Sequence, residues 1–222
     1  MSRRFSAIIF DLDGTLIHSV PDLAWAVNAL LAEEGREPLT EADVGPMVGN
    51  GVAVLVERAF TARGGMPQGD PAELVRRFVA HYEPNATRLT RPFEGVVETL
   101  KVLKAKGLTL AICTNKVSSA TREILRALDL EQYFAVVVGG DDTPVHKPDP
   151  AHVNLVLDRL GVHHDDAVYV GDSINDVLAA KGAHVRCILV SFGYTKVPAR
   201  DLGADLVIDS FADLIEAVGA GR

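Results

Sequence analysis

Six short apolar runs recur along the chain, and stretches of helical periodicity lie between the later ones. The runs are four or five residues long, apart from a last run of three, and they are rich in β-branched residues. This pattern is typical of strands that are buried on both faces of a parallel sheet. Strand–helix alternation predicts right-handed βαβ units, and therefore an α/β fold with a doubly wound parallel sheet. The predicted strands are Ala7–Phe10, Thr109–Cys113, Ala135–Val138, Ala167–Val170, Cys187–Val190 and Leu206–Ile208.

The region between the first two predicted strands lacks this alternation, because it has helical patterns and no convincing strand. Ser19-Val20-Pro21-Asp22 has the form of a capping box with an early proline, which predicts a helix that runs to Gly35. We therefore expect a small α-helical domain, residues 17–91, inserted into a core domain of residues 1–16 and 92–222. Further helices are predicted at Glu41–Val48, Val52–Arg63 and Pro71–Tyr82.

Composition narrows the class of protein. The chain has 222 residues, of which 48% are hydrophobic and 23% charged, as in an ordinary globular protein. Its net charge is −8 and it has no run rich in Lys or Arg, so neither nucleic acid nor an anionic membrane is an expected partner. No apolar run approaches the roughly 20 residues that a membrane span needs.

The N-terminus and the cysteines indicate the compartment. Met1–Arg4 is followed by the apolar stretch Phe5–Phe10, which is too short for a signal peptide. Cys113 and Cys187 each lie inside an apolar run, which indicates buried thiols rather than a disulfide or a zinc site. We therefore expect a cytoplasmic protein.

Polar residues follow four of the predicted strands, at the point where each strand ends. The first strand is followed by Asp11-Leu12-Asp13-Gly14-Thr15, the second by Thr114-Asn115-Lys116 and the fourth by Gly171-Asp172. Lys147-Pro148 comes soon after the third strand. Because ligands bind at the carboxyl ends of the strands in a doubly wound sheet, we expect these polar side chains to lie together at that edge.

The expected cluster contains three carboxylates. Two like charges 4 Å apart repel by about 4 kcal/mol at an effective dielectric constant near 20, so Asp11, Asp13 and Asp172 need a cation. A small set of oxygen ligands favours Mg²⁺, which keeps several waters and often bridges to a substrate phosphate. Since Lys147 adds a further positive charge, the cluster predicts a magnesium site that binds a phosphoryl group.

The order of these residues indicates a role for each. Asp11 is placed to attack phosphorus and form an aspartyl-phosphate, while Asp13 would protonate the leaving oxygen and then deprotonate the attacking water. Asp172 would hold the metal together with these two aspartates, and Asp176, one helical turn later, would orient a water on the metal. The expected phosphate-binding residues are Thr114, Asn115 and Lys147.

Several of these positions also fit ordinary structural roles. Ser173-x-x-Asp176 is itself a capping box, so a helix cap and a role beside the metal are equally good interpretations of Asp176. Gly49-Asn50-Gly51 is typical of a turn between helices, and in a mobile lid Gly49 and Asn50 would contact the substrate. Asp141 and Asp142 are expected to be loop residues. One arginine of the insert could bind a substrate carboxylate, and the candidates are Arg58, Arg63, Arg76 and Arg77.

The residues at the strand ends resemble the four ordered motifs of the haloacid dehalogenase superfamily. This resemblance covers the whole predicted core, and it implies a Rossmann-like catalytic domain with a small helical cap. The matching residues are Phe10–Leu16, Thr114-Asn115, Lys147-Pro148 and Gly171-Asp172-Ser173 with Asp176.

Shorter segments resemble the bacterial phosphoglycolate phosphatases of that superfamily, which implies Mg²⁺-dependent hydrolysis of 2-phosphoglycolate to glycolate and phosphate. Two positions depart from the pattern of these enzymes. His18 stands where an acidic residue is usual, at the expected hinge between core and cap, and Glu94 stands where a proline is usual. The matching segments are Val20–Leu23, Ala26–Asn28, Val48–Gly51 and Gly139–Asp141.

Other functions share parts of this pattern. A phosphosugar mutase, or another small-metabolite phosphatase or pyrophosphatase of the superfamily, would carry the same four motifs. A non-enzymatic phospho-accepting signalling domain also combines a doubly wound sheet with an acidic cluster, a Thr and a Lys, but it needs no helical insert. For the leading interpretation we expect a small anionic phosphate ester as the partner, and a monomer or a homodimer.

Overall fold

The six predicted strands form one parallel sheet in the computed structural model, which describes residues 5–219. The strands are β1 (Ala7–Phe10), β2 (Ile17–His18), β3 (Arg91–Pro92), β4 (Thr109–Cys113), β5 (Val136–Val138), β6 (Ala167–Gly171), β7 (Arg186–Val190) and β8 (Leu206–Ile208). The strand order of the large sheet, β5-β4-β1-β6-β7-β8, confirms the doubly wound α/β fold. The segment Met1–Arg4, on which the signal-peptide argument rested, and the end of the expected core domain at 220–222 lie outside the described residues.

Strand β1 stands where the order of strands reverses. The chain passes from β1 through β4 to β5 on one side, and then continues with β6, β7 and β8 on the other. Phe10, the last residue of β1, pairs with Ile112 of β4 and with Val170 of β6. Doubly wound sheets bind ligands outside the strand ends at such a point, so the loops after β1, β4 and β6 are placed for chemistry.

Helices cover both faces of this sheet because alternate residues of each strand point to opposite sides. The helices are α1 (Val20–Glu33), α2 (Glu41–Val44), α3 (Val52–Thr61), α4 (Pro71–Tyr82), α5 (Val96–Ala105), α6 (Ser118–Ala127), α7 (Ala151–Leu160), α8 (Ile174–Gly182) and α9 (Leu214–Gly219). Ile8 and Phe10 pack with α5, α6 and α9 on one face, whereas Ala7 and Ile9 pack with α7 and α8 on the other. Cys113 and Cys187 are free and buried, as expected.

Helices α1 to α4 lie between the first two strands of the large sheet, as the sequence predicted. The predicted helix Glu41–Val48 was wrong in its second half: α2 ends at Val44, and Gly45–Met47 form a single 3₁₀ turn, because Pro46 cannot continue the hydrogen-bond pattern of an α-helix. The capping box expected at the start of α1 was also wrong, because Ser19 makes no side-chain cap and Asp22 instead accepts from the N–H groups of Leu89 and Thr90. The insert is also bounded by an antiparallel pair of two-residue strands, in which Ile17 pairs with Pro92 and His18 with Arg91. Strands this short leave no periodicity in the sequence, so they were missed. Among residues 5–219, every helix is too short or too polar to span a bilayer.

Candidate active site at the carboxyl edge of the sheet

The loop after β1 places Asp11 and Asp13 at the edge of the sheet. The backbone N–H of Asp11 donates to the carbonyl of Val170 at 2.9 Å, which continues the pairing of β1 with β6 by one residue. The chain then turns sharply at Gly14, whose φ of +87° favours glycine. A side chain there would also meet Asp172, since a Cβ would lie 2.5 Å from Oδ2 of that residue. Gly14 therefore lets the loops after β1 and β6 approach each other.

Three carboxylates lie close together near this turn. Asp11, Asp172 and Asp176 are all buried, and each offers an oxygen that lies within 4.8 Å of the others. Asp172 is held by the backbone N–H of Tyr194, which donates to its Oδ2 at 2.8 Å, and by the hydroxyl of Thr15 at 3.3 Å. Asp11 and Asp172, expected to share a cation, are thus close enough to do so.

Lys147 supplies the positive charge inside this cluster. Its Nζ lies 2.8 Å from Oδ1 of Asp11 and 2.7 Å from Oδ1 of Asp176, and it donates to the hydroxyl of Tyr169 at 2.8 Å. The side chain is only 2% exposed, so these three partners take all of the donors of its ammonium group. Lys147 therefore neutralises part of the charge of the carboxylates but cannot balance all of it.

The pKa values of the three carboxyl groups diverge as a result. Burial raises the pKa of Asp11 to about 6, although the charge of Lys147 opposes this rise. Burial also raises the pKa of Asp172 well above its usual range, with the charges of Asp176 and Asp11 adding to the effect. For Asp176 burial is outweighed, because Lys147 and the hydrogen bonds from Ser173 lower its pKa. Asp11 therefore shares the cation Lys147 with Asp176, and Asp172 has no cation of its own among the described residues.

This donor set fits a divalent cation. Asp11 and Asp172 offer oxygen ligands in a buried site, and hard cations such as Mg²⁺ bind such oxygens. A buried oxygen of Asp13, Oδ1, has no hydrogen-bond partner. The carboxylate of Asp13, however, is not part of the cluster formed by Asp11, Asp172 and Asp176 in the described part of the chain. Its place in the metal site stays a prediction.

Asp13 instead forms an ion pair that the sequence did not indicate. Its Oδ2 lies 3.2 Å from Nζ of Lys116, and both side chains are nearly buried. Lys116 also donates to the hydroxyl of Tyr82 at 2.9 Å, across 34 positions of sequence. Lys116 directly follows Thr114-Asn115, so its position at the end of β4 was a usable signal. Tyr82, at the end of α4, had none, because only the packing of the insert brings it here.

Asn115 and Gly49 join the insert to the core. The side-chain amide of Asn115 donates to the carbonyls of Gly49 and Lys147, at 2.9 Å each, and its oxygen accepts from the N–H of Lys147 at 2.9 Å. The Gly49 carbonyl also accepts from the side chain of Asn175 at 3.2 Å. Both amide hydrogens of Asn115 are thus used to position loops. Contacts of Asn115, Gly49 and the neighbouring Asn50 with substrate stay predictions, as does phosphate binding by the buried Thr114 and by Lys147.

Asp176 combines two roles. It forms the capping box of α8 with Ser173, whose N–H and hydroxyl donate to Oδ2 at 3.0 and 2.6 Å. Its other oxygen, Oδ1, accepts from Lys147 and from Tyr169. The helix cap is therefore confirmed, whereas orientation of a water on the metal stays a prediction. Asp141 and Asp142 are loop residues, as expected, and both bond to Ser118 at the start of α6.

Tyr194 is a further residue that the sequence did not indicate. Its N–H holds Asp172, while its hydroxyl accepts from the N–H of Ser19 at 2.8 Å and lies 3.1 Å from Nδ1 of His18. The loop comes this close because Gly193 has no side chain: a Cβ there would lie 2.1 Å from Cβ of Asp172. Tyr194 therefore connects an expected metal ligand with the segment at which the insert begins.

Within residues 5–219, two cavities are lined by Asp13, and the segment Val48-Gly49 also lines both. The larger cavity, about 380 Å³, extends from Asp11 between helices α3 and α4 of the insert, and we call it the apolar lobe. The smaller cavity, about 240 Å³, lies next to Asp172 and Arg58, and we call it the polar lobe. The site can therefore receive a phosphoryl group whose leaving group lies in either the apolar lobe or the polar lobe.

Comparisons with known proteins agree with this architecture. A family model described as haloacid dehalogenase-like hydrolase matches residues 8–190. A phosphoglycolate phosphatase of Caulobacter vibrioides is 45% identical over 213 residues, which are 96% of this chain and 90% of the relative. A phosphoglycolate phosphatase of Rhodospirillum rubrum is 44% identical over 219 residues, again with 96% and 90% covered.

Solved structures give the same result. A protein of Haemophilus somnus described as a predicted phosphoglycolate phosphatase has a TM-score of 0.90 and 33% identity, with 96% of this chain and 97% of that chain covered. CbbY of Rhodobacter sphaeroides, solved in complex with phosphate, has a TM-score of 0.81 and 28% identity, with 95% and 96% covered.

Proposed function

The chain belongs to the haloacid dehalogenase-like hydrolases and is a phosphoric monoester hydrolase, and from this premise we propose that it hydrolyses 2-phosphoglycolate to glycolate and phosphate with the help of Mg²⁺. The observation that carries the proposal is the cluster in which Asp11 and Asp172 meet within 4.8 Å, with Lys147 2.8 Å from the expected nucleophile. The non-enzymatic alternative, a signalling domain, is wrong, because curated phosphatases match nearly the full length of the chain.

In the proposed mechanism, the carboxylate of Asp11 attacks phosphorus and forms an aspartyl-phosphate as the ester oxygen leaves. Asp13 gives its proton to that oxygen and later takes a proton from the water that hydrolyses the intermediate, which returns both aspartates to their starting states. Lys147 orients Asp11 and Asp176, and Lys116 keeps Asp13 in place. Thr114, which is buried in the loop after β4, would bind an oxygen of the phosphoryl group.

We propose that Asp11 and Asp172 hold the Mg²⁺. The ion supplies positive charge that neutralises these carboxylates and the phosphate dianion, which lowers the repulsion between them. We also propose that residues 17–91 act as a cap, since Tyr82 and Gly49 of the insert contact Lys116 and Asn115 of the core. A closed cap excludes water and large substrates from the site. The cytoplasmic location and the choice between monomer and homodimer stay predictions.

A panel of small phosphate esters tests the proposed function. We expect 2-phosphoglycolate to give the highest kcat/KM, with stoichiometric phosphate release, and EDTA to remove turnover until Mg²⁺ is restored. We also expect Mg²⁺ to raise the thermal midpoint of unfolding in the parent, since a ligand at 100 times its Kd stabilises by about 2.7 kcal/mol, and not in Asp172→Asn. Isomer formation from a sugar phosphate without phosphate release would instead support the mutase. Unchanged turnover in EDTA would contradict the metal site.

Arg58 is the arginine that we propose for the substrate carboxylate. It lines the polar lobe, its Nη1 donates to the carbonyl of Met47 at 2.9 Å, and no carboxylate of residues 5–219 pairs with it. The other three candidates have partners of their own: Arg63 binds the carbonyls of Glu37 and Pro38, Arg76 binds Glu73, and Arg77 binds Glu33 and Glu34. Of the four candidates, only Arg58 lines a cavity that also reaches Asp13 and Asp172, and it has donors that remain for a ligand.

We expect Arg58→Gln to lower kcat/KM for 2-phosphoglycolate by about 10- to 100-fold, the value of one hydrogen bond to a charged group. Ethyl phosphate has a methyl group in place of the carboxylate, so its kcat/KM should change by less than about threefold. The measurement is steady-state phosphate release from both esters. Arg76→Gln is the matched control, because that side chain is exposed and pairs within α4. Equal losses on both esters would show that Arg58 does not bind the carboxylate.

A further inference from the structure

The apolar lobe is larger and less polar than glycolate requires. Its volume of about 380 Å³ lies in the range of pockets that enclose small organic molecules, whereas glycolate has two carbons. The walls within the insert are aliphatic and aromatic side chains from three helices. Those that the argument uses are Leu23 of α1, Val52 and Leu55 of α3, and Phe78 and Val79 of α4.

Part of this apolar surface remains in contact with solvent. Val52 and Val79 are only partly buried, whereas Leu55 and Phe78 of the same two helices are buried. Water against apolar walls is unfavourable, by about 25 cal/mol for each Å² that a ligand could cover. An apolar group that entered the lobe would therefore gain binding free energy from surface that the folded insert leaves uncovered.

The charges around the lobe do not suit an anionic leaving group. Of the described residues that line it, Asp11, Asp13, Glu83 and Asp141 are acidic, and Lys116 is the cation. Lys116 is already 3.2 Å from Asp13 and bonded to Tyr82, so no unpaired positive charge faces the lobe in this part of the chain. A carboxylate is placed better in the polar lobe, beside Arg58. The apolar lobe is thus free for a different leaving group.

We propose that the enzyme has a second class of substrate, the phosphate monoesters of apolar alcohols, whose hydrocarbon chains bind in the apolar lobe. The proposal rests on the proposed phosphatase function of the same site. The chemistry is unchanged: the Asp11 carboxylate forms a bond to phosphorus, the P–O bond to the alcohol breaks, and the departing oxygen takes the proton of Asp13. Water then hydrolyses the aspartyl-phosphate, so the products are the alcohol and phosphate.

The test is the series ethyl, butyl and hexyl phosphate, compared with 2-phosphoglycolate on the full chain with Mg²⁺. Each methylene that leaves water should raise kcat/KM by about fourfold, so hexyl phosphate should exceed ethyl phosphate by about 200-fold. If 2-phosphoglycolate is hydrolysed and the alkyl series is flat or falls with length, the second substrate class is wrong. If no ester releases phosphate, the proposed function fails and this inference fails with it. If kcat/KM rises along the alkyl series but 2-phosphoglycolate is not hydrolysed, the result supports alkyl binding in the apolar lobe. It then overturns only the assignment of 2-phosphoglycolate as a substrate.

A variant that fills the apolar lobe tests whether binding in the lobe causes kcat/KM to increase with the length of the alkyl chain. Val79→Phe adds volume from a partly buried position on α4, and we expect it to lower the ratio of hexyl to ethyl turnover from about 200 to about 10 or less. Val79→Thr keeps the shape but replaces one methyl group with a hydroxyl, so it should lower the ratio less. The control is Val102→Phe, at an exposed position on α5 in the core. An unchanged ratio in Val79→Phe, with the fold intact by circular dichroism, would overturn the proposal.

Discussion

Asp11→Asn will lower kcat for every phosphate ester by about 10⁴-fold or more, as loss of a nucleophile does in other enzymes that work through a covalent intermediate. An amide cannot form the acyl phosphate, and the neighbouring carboxylates are held by other groups: Asp13 by Lys116, Asp172 by Tyr194 and Thr15, and Asp176 by Lys147 and Ser173. The measurement is phosphate release under conditions that saturate the parent enzyme. Residual turnover within about tenfold of the parent would contradict the assignment of the nucleophile.

The same variant should not lose stability. Burial raises the pKa of Asp11 to about 6, above its value in the unfolded chain, so above that pH its ionised form opposes folding. In buffer at pH 7.5 with EDTA, we expect the free energy of unfolding of Asp11→Asn to equal or exceed that of the parent. Asp149→Asn is the control, because Asp149 is exposed and its side chain accepts from the N–H of Ala151, which asparagine can also do, so neither quantity should change. Lost activity with a stable fold separates a chemical role from a structural one.

The sequence predicted the parts of the site that depend on topology. Apolar runs of strand length place Asp11, Thr114 and Asp172 at the ends of β1, β4 and β6, and the doubly wound order makes those ends neighbours. Lys147 was predicted from its place after the third run. In each case a local pattern identifies the strand, and the general geometry of parallel sheets brings the residues after the strand ends together.

The parts that were missed depend on packing between distant segments. Tyr82 reaches Lys116 because α4 folds back over the core, and Tyr194 reaches Ser19 across 175 positions. Neither contact follows from a periodicity, a cap or a turn. The side chain of Asn115 was expected at the phosphate, yet its amide bonds to backbone of Gly49 and Lys147, which only the positions of both loops reveal. Sequence patterns thus give the reacting groups more readily than the groups that position them.

Replacement of Lys147 measures how strongly the buried carboxylates beside it destabilise the fold when they have no cation. We expect Lys147→Met to lower the free energy of unfolding by about 3 to 5 kcal/mol at pH 8 without divalent ions, because it leaves Asp11 and Asp176 buried without their cation. Methionine has a similar length, so the change removes the charge and the hydrogen bonds rather than the packing. Turnover should also fall by at least about 10³-fold, since Lys147 orients the nucleophile. Urea unfolding and phosphate release measure the two effects.

Lys147→Met could lose stability through charge or through packing. The pH dependence of its unfolding free energy and a double variant separate these two causes. Lys147 lowers the pKa of Asp176 in the folded protein, so that ionised carboxylate favours folding in the parent. Without the lysine, burial raises its pKa, and the deficit in unfolding free energy should shrink as the pH falls from 8 to 5.5 and the carboxylate takes up a proton. Lys147→Met with Asp176→Asn should recover at least about 1 kcal/mol of the loss at pH 8. Lys104→Met, at an exposed position on α5, is the control. A deficit that neither pH nor the second substitution reduces would mean that Lys147 stabilises the fold by packing alone.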